Sequence, residues 1–209
     1  MNKTLAIVAA LLVVIVVGIG PRLAQWAGVG MDHGGGSTTT TTSAVAIGGP
    51  FTLVNGAGET VTEQDFRGKW TVVYFGYTFC PDVCPSGLAT VASAIDMLPA
   101  AMQEKVVPVF VSVDPERDTP AVVGDYVSHF HPRMVGLTGT PEQVTAVAKE
   151  YKVYYKKVED GDGPYLMDHS AIAYLMGPDG QFVRHFSHGV SPDDMARGLQ
   201  QAVADGAAS

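Results

Sequence analysis

Apolar and polar positions divide this chain into three stretches of different character. The first, Leu5 to Gly20, is continuously apolar, and Arg22 carries the only charge between Leu5 and Gly30. A spanning helix needs roughly 20 apolar residues, so the run reaches that length only with the residues that follow it. Arg22 would then snorkel to the interface beside Trp26. A cleaved signal peptide is the rival reading. Against it, Pro21 follows the run directly and no lipobox cysteine is present, although Gly28-Val29-Gly30 offers a small-residue site. The expectation is an uncleaved N-terminal transmembrane helix within residues 1–30, with Lys3 ahead of it favouring a cytoplasmic N-terminus. No Arg- and Ser-rich presequence precedes the run, so the expected place is a bacterial inner membrane, single-pass, with the remainder in the periplasm.

The second stretch, residues 31–48, has no apolar face to bury. Gly34-Gly35-Gly36-Ser37, Thr38 to Thr42 and Ser43 make it a flexible tether. Random-coil scaling gives some 20 such residues a span on the order of 25 Å. Met31, Asp32 and His33 read as solvated residues of that tether.

The third stretch, residues 49–209, alternates strand and helix patterns. Phe51 to Val54 reads as a strand, Asn55-Gly56 as a turn, and Val61 to Phe66 leads on to Gly68-Lys69-Trp70. Thr71 to Tyr77 is apolar on both faces, as a central strand between helices should be. Leu88, Val91, Ala92, Ile95 and Leu98 then repeat at helical spacing as far as Pro99. Val106 to Val113 is a second buried strand. Thr119-Pro120, Thr140-Pro141 and Ser191-Pro192 each place a capping hydroxyl before a proline at the first helical position. Gln143 and Asp194 follow the latter two caps as a capping box requires. Ala171 to Met176 and Gln181 to Phe186 flank Gly177-Pro178-Asp179-Gly180, a hairpin signal. The order predicts an α/β domain with a mixed central sheet flanked by helices.

Composition removes some functions. The net charge of −8, with no basic stripe, argues against a nucleic-acid partner. Two cysteines, Cys80 and Cys84, are too few for a disulfide scaffold and point to chemistry. They lie in Tyr74 to Pro85, YFGYTFCPDVCP, where the central strand runs through a turn into a helix. Cysteines at the first strand-helix junction of such a domain fit a thioredoxin-like fold, and the helix's first amides favour a thiolate. With Cys84 in the first helical turn, both sulfurs share one face and can close a disulfide or clamp a soft ion. Three intervening residues, Pro81-Asp82-Val83, make a wider ring than the CxxC of thiol oxidoreductases. Asp82 reads equally as a further oxygen ligand and as an acidic residue on the helix dipole.

Asp168-His169-Ser170, just before the hairpin strand, adds a histidine at a strand entrance, which taken alone reads as a loop residue or turn cap. An imidazole with two thiolates suits copper, and zinc accepts the same donors with an added oxygen. His129, His131, His185 and His188 read as solvent-facing or capping residues. A peroxiredoxin-like peroxidase fits poorly, since Thr78-Phe79-Cys80 lacks the Thr-x-x-Cys spacing and the next arginine in sequence is Arg117.

YFGYTFCPDVCP, SVDPERDTP and DHSAIAYLMGPDG resemble, in order and spacing, three motif blocks of the Sco/SenC family, copper-binding assembly factors for cytochrome c oxidase. The resemblance covers Gly49 to Ala204. It implies an anchored thioredoxin-like domain holding copper, as Cu(I) or Cu(II), through Cys80, Cys84 and His169, with Cys80 and Cys84 also a redox-active pair. The implied partner is the copper-site subunit of the oxidase, with other copper chaperones or a thiol reductant beside it. Two functions follow: a copper chaperone for the oxidase's dinuclear copper centre, or a thiol-disulfide oxidoreductase that reduces that subunit's cysteines.

Overall fold

The computed structural model describes residues 46–159 and 164–206. The expected anchor lies outside them, as does the expected tether up to residue 45. Among the described residues no helix is long and apolar enough to cross a membrane. The chain is already engaged with the domain at Ile47, which packs on the core, and at Gly48, whose amide donates to the Glu150 carbonyl at 3.0 Å.

The doubly apolar run forms β3 (Trp70–Gly76), and all seven of its residues are buried. Both faces are covered, as the pattern requires: the Phe75 ring lies 5.2 Å from that of Tyr151, and Tyr74 packs on Gly87. Gly87 belongs to α1 (Val83–Asp96), and Tyr151 closes α4 (Pro141–Glu150) on the other face. β3 pairs in parallel with β4 (Val106–Ser112), and β4 with β5 (Val135–Thr138). Antiparallel strands extend both edges, namely β1 (Thr52–Asn55) and β2 (Thr60–Thr62) on one side, β8 (Ile172–Met176) and β9 (Phe182–Ser187) on the other. The seven-stranded order is β2-β1-β5-β4-β3-β8-β9. The mixed sheet matches expectation.

The proline-marked helix starts are where the hydroxyls placed them. Thr119 accepts from the Val122 amide ahead of α3 (Pro120–Ser128), and Thr140 with Gln143 forms a complete capping box on α4. Ser191 accepts from the Asp194 amide at 3.1 Å ahead of α5 (Pro192–Gly206). A short helix, α2 (Ala100–Gln103), bridges α1 and β4. At the β1–β2 turn a Cβ on Gly124 of α3 would meet Gly56 Cα at 2.9 Å, so two glycines let backbone pack on backbone.

Three strands depart from the apolar pattern. β5 is only four residues long and contains Gly136, too short and weak a signal against the charged and proline-rich residues around it. β6 (Tyr155–Val158) and β7 (Leu166–His169) form a separate two-stranded ribbon between α4 and β8, with Tyr155 opposite His169. Lys156, Lys157 and Asp168 are exposed on it, and Met167 is its one buried strand residue, with Tyr155 packed against the core beside it.

The core is centred on β3 and β4, and Phe110 is fully buried there. Phe110→Ala should lower the unfolding free energy by about 3–5 kcal/mol, measured by urea denaturation. A loss below about 1 kcal/mol would show that this part of the core repacks freely.

Candidate metal centre

At Gly76 the central strand ends and the chain turns through Tyr77, Thr78 and Phe79 to Cys80, whose amide donates to the Tyr77 carbonyl at 3.2 Å. Asp82 occupies the N-cap position of α1 with its side chain exposed, and Cys84 follows in the first turn. The Cys84 amide, one of the donors a helix start leaves free, points at Cys80 Sγ at 3.4 Å. Pro85 removes a neighbouring amide that would otherwise need a partner. Gly76 has a steric duty, since a Cβ there would lie 2.7 Å from Cys84 Sγ.

The turn is held from below. Thr78 donates to Asp118 through its amide at 3.0 Å and its hydroxyl at 2.6 Å, and Ser112 Oγ adds a third bond at 2.5 Å. Asp118 is fully buried, and that burial raises its carboxyl above the usual range against the pull of these donors.

His169 closes the site from β7. Its Nε2 lies 3.2 Å from Cys84 Sγ, and its Nδ1 3.3 Å from the Ser170 carbonyl. The ring stands edge-on to Tyr77 with centroids 5.7 Å apart. Ser170 exchanges hydrogen bonds with Tyr154: its amide donates to the Tyr154 carbonyl at 3.0 Å, and its hydroxyl accepts from the Tyr154 amide at 3.2 Å. One ligand atom each from Cys80, Cys84 and His169 lies within 4.8 Å of the others. Among the described residues this is the sole such cluster of cysteine, histidine and acidic side chains. Both sulfurs are buried and the imidazole is half-buried.

Electrostatics divide the two cysteines. A hydrogen bond from Cys84 pulls the Cys80 thiol down to about 3, against its burial and with help from His169 and the Asp82 and Cys84 amides. The same hydrogen bond, then burial, pushes the Cys84 thiol up. The pair therefore acts as one thiolate and one thiol sharing a proton, not as two independent groups.

Of the residues singled out from the sequence, Cys80, Cys84 and His169 come together, and Asp82 does not join them. The histidine reaches the site as the last residue of β7, rather than as an isolated residue before the hairpin. His129 caps α3 and is exposed, as are His185 and His188. His131 departs from the solvent-facing expectation. It is buried, accepting the Arg133 amide at Nδ1 (3.1 Å) and facing Asp96, the last residue of α1, with Nε2 (3.4 Å). Sequence reasoning gave no role to Asp118 or Arg117. The signal was SVDPERDTP, where charges crowd the exit of a buried strand.

A thioredoxin-like α/β domain with a two-cysteine, one-histidine centre at its first strand-helix junction is the class that fold and site define. The SCO1/SenC family model matches residues 39–204, and the chain belongs to that family. It is 41% identical over 195 residues to protein SenC of Rhodobacter capsulatus, covering 93% of this chain and 88% of that one. Over 158 residues it is 48% identical to the mitochondrial SCO1 homolog 1 of Arabidopsis thaliana, covering 76% of this chain. It spans about half that plant relative's length, 47%. The crystal structure of Arabidopsis thaliana ScoI with copper bound superposes with a TM-score of 0.74 at 48% identity, over 77% of this chain and 99% of that one.

The shared proton has a measurable sign. Between the Cys80 value of about 3 and the ordinary thiol value near 8.5, the folded pair holds fewer protons than the unfolded pair. Its contribution to stability therefore rises with pH over that window. Above the window the sign reverses, because Cys84 keeps its proton when an unfolded thiol has lost it. Ultraviolet thiolate absorption of the reduced, metal-free chain should report one thiolate from about pH 5 to about pH 8. A signal arising only near about pH 8.5 would mean two ordinary thiols.

Proposed function

We propose that this protein binds copper as cargo through Cys80, Cys84 and His169 and delivers it to the copper-site subunit of cytochrome c oxidase. The observation that carries this reading is the gathering of two sulfurs and an imidazole nitrogen within 4.8 Å, in a member of the SCO1/SenC family. Copper in the structure of the Arabidopsis relative supports the choice of ion. Two sulfurs with one nitrogen are a soft donor set that prefers Cu(I), and the half-buried imidazole leaves a side from which a partner can approach. Residues 1–30 act as a membrane anchor and residues 31–48 as its tether, holding the domain at the periplasmic face of a bacterial inner membrane. That part rests on the apolar run from Leu5 to Gly20 and on Lys3.

The chain's own groups have plain tasks. Cys80 offers a thiolate already stabilised by the Cys84 amide. Cys84 must give up the shared proton, which a cation's charge makes favourable. His169 must present Nε2 as an unprotonated donor, and its Nδ1 proton can go to the Ser170 carbonyl.

One observation favours the second reading, reduction of a partner's disulfide: the Cys84 amide points at Cys80 Sγ at 3.4 Å, and hydrogen bonding to that sulfur draws its thiol below the ordinary range. Its thiolate would attack one sulfur of the partner's disulfide and expel the other as a thiolate. Cys84, deprotonated, would then attack Cys80 Sγ and release the partner's second thiolate. The partner gains two electrons, takes up two protons, and the pair ends as a disulfide.

Cu(I) titration of the purified chain against a chromophoric chelator decides between them. Cys80→Ser and Cys84→Ser should each abolish tight binding. His169→Ala should weaken it at least about tenfold, ~1.4 kcal/mol, while leaving disulfide reduction of a peptide nearly unchanged. Cells carrying His169→Ala should lose oxidase assembly. A His169→Ala chain that binds copper like the parent but fails in thiol exchange would replace the chaperone with the reductase.

A further inference from the structure

We propose that Arg117 is a positioning residue for this centre, holding the β6–β7 ribbon against the cysteine turn so that His169 reaches Cys84. The inference rests on the copper reading above. Arg117 lies in the turn after β4 and touches both halves of the site. Toward the cysteine turn, its guanidinium carbon lies 4.7 Å from the Phe79 ring centre and 5.6 Å from that of Tyr77. Toward the ribbon it lies 3.6 Å from the ring centre of Tyr165, and Nη1 donates to the Tyr165 carbonyl at 2.9 Å. Nε is fixed by Asp114 at 2.5 Å, and Asp114 also accepts from the Tyr165 hydroxyl at 2.8 Å.

Tyr165 precedes β7, and His169 ends it. His169 therefore sits between two anchors, Arg117 on the Tyr165 side and the Tyr154–Ser170 exchange on the other. The ribbon is no part of the main sheet, so its backbone pairing sets its internal register but not its distance from the cysteines. A planar cation between aromatic rings from both sides can set that distance, and an ammonium cannot copy the geometry. Lys157, with Nζ 3.8 Å from the ring centre of Tyr165 and paired with Glu116 at 2.8 Å, adds a solvent-exposed contact.

The test is a double-mutant cycle on the purified full chain, read as Cu(I) affinity. Arg117→Ala should weaken Cu(I) binding about tenfold to a hundredfold, the range for groups that orient a metal ligand. Tyr165→Ala, which leaves the cysteine turn's own contacts in place, should do the same. In a His169→Ala background either change should cost less than about threefold, because the ligand being positioned is gone. The Cys80–Cys84 reduction potential should stay at the parent value, and Arg117→Lys should give an intermediate loss. Unchanged affinity in the single variants would overturn the proposal. So would an equal loss in both backgrounds or a shifted reduction potential, since Arg117 would then support the cysteine turn itself. A parent chain without Cu(I) affinity, or a His169→Ala chain equal to the parent, overturns the copper reading and this proposal with it.

Discussion

The hydrogen bonds that converge on the buried carboxylate of Asp118 are the constraint on which the site depends. An ionised carboxylate taken out of water costs several kcal/mol unless donors replace the water. Thr78 supplies two and Ser112 a third, and Thr138 Oγ1 donates to the Asp118 carbonyl at 2.8 Å. Those partners come from the exits of β3, β4 and β5. One residue thus gathers the three parallel strand ends, and Cys80, two residues beyond Thr78, takes its place from that gathering. Loss of any donor would leave a buried acceptor short, which gives the turn a reason to stay in one conformation.

Topology then explains how a histidine 85 residues from Cys84 comes to lie on it. β8 runs antiparallel to β3, with Tyr74 opposite Ala173, so the start of β8 lies beside the end of β3. A residue shortly before Ile172 has to be at the cysteine end of the sheet. Parallel strands put their C-terminal loops on one edge, where α/β sheets generally carry ligands. An antiparallel neighbour adds its own entrance to that edge, and His169 arrives by that route.

Much of this was legible in the chain. β3 and β4 announced themselves as runs apolar on both faces, and Thr119, Thr140 and Ser191 marked three helix starts by local chemistry alone. Cys80 and Cys84 were legible because their spacing and the strand before them are local too. The β6–β7 ribbon was not, since each strand is four residues long and Met167 is the one buried residue between them. Asp118 and Arg117 failed for a different reason. Their meaning lies in partners 40 and 48 residues away in sequence, Thr78 and Tyr165, and no periodicity reports such a pairing. His131 looked like a polar residue at a helix end, and only the packing of α1 against the loop before β5 makes it a core residue.

The site consequently has two halves built in different ways. The cysteine half is continuous with the core: Cys84 is fully buried, rests on Gly76, and shares its turn with the Asp118 network. The histidine half stands on a ribbon outside the main sheet, in which Met167 is the one buried strand residue. Segments with few buried apolar contacts open at lower free energy than the core that carries them. A cargo ion needs both properties, strong enough donors to be taken up and one donor that can withdraw when a partner offers its own. Thiol exchange needs only the rigid half. On the two proposed readings one pair of sulfurs would serve either chemistry, and the ribbon carrying His169 is the part of the structure that separates them.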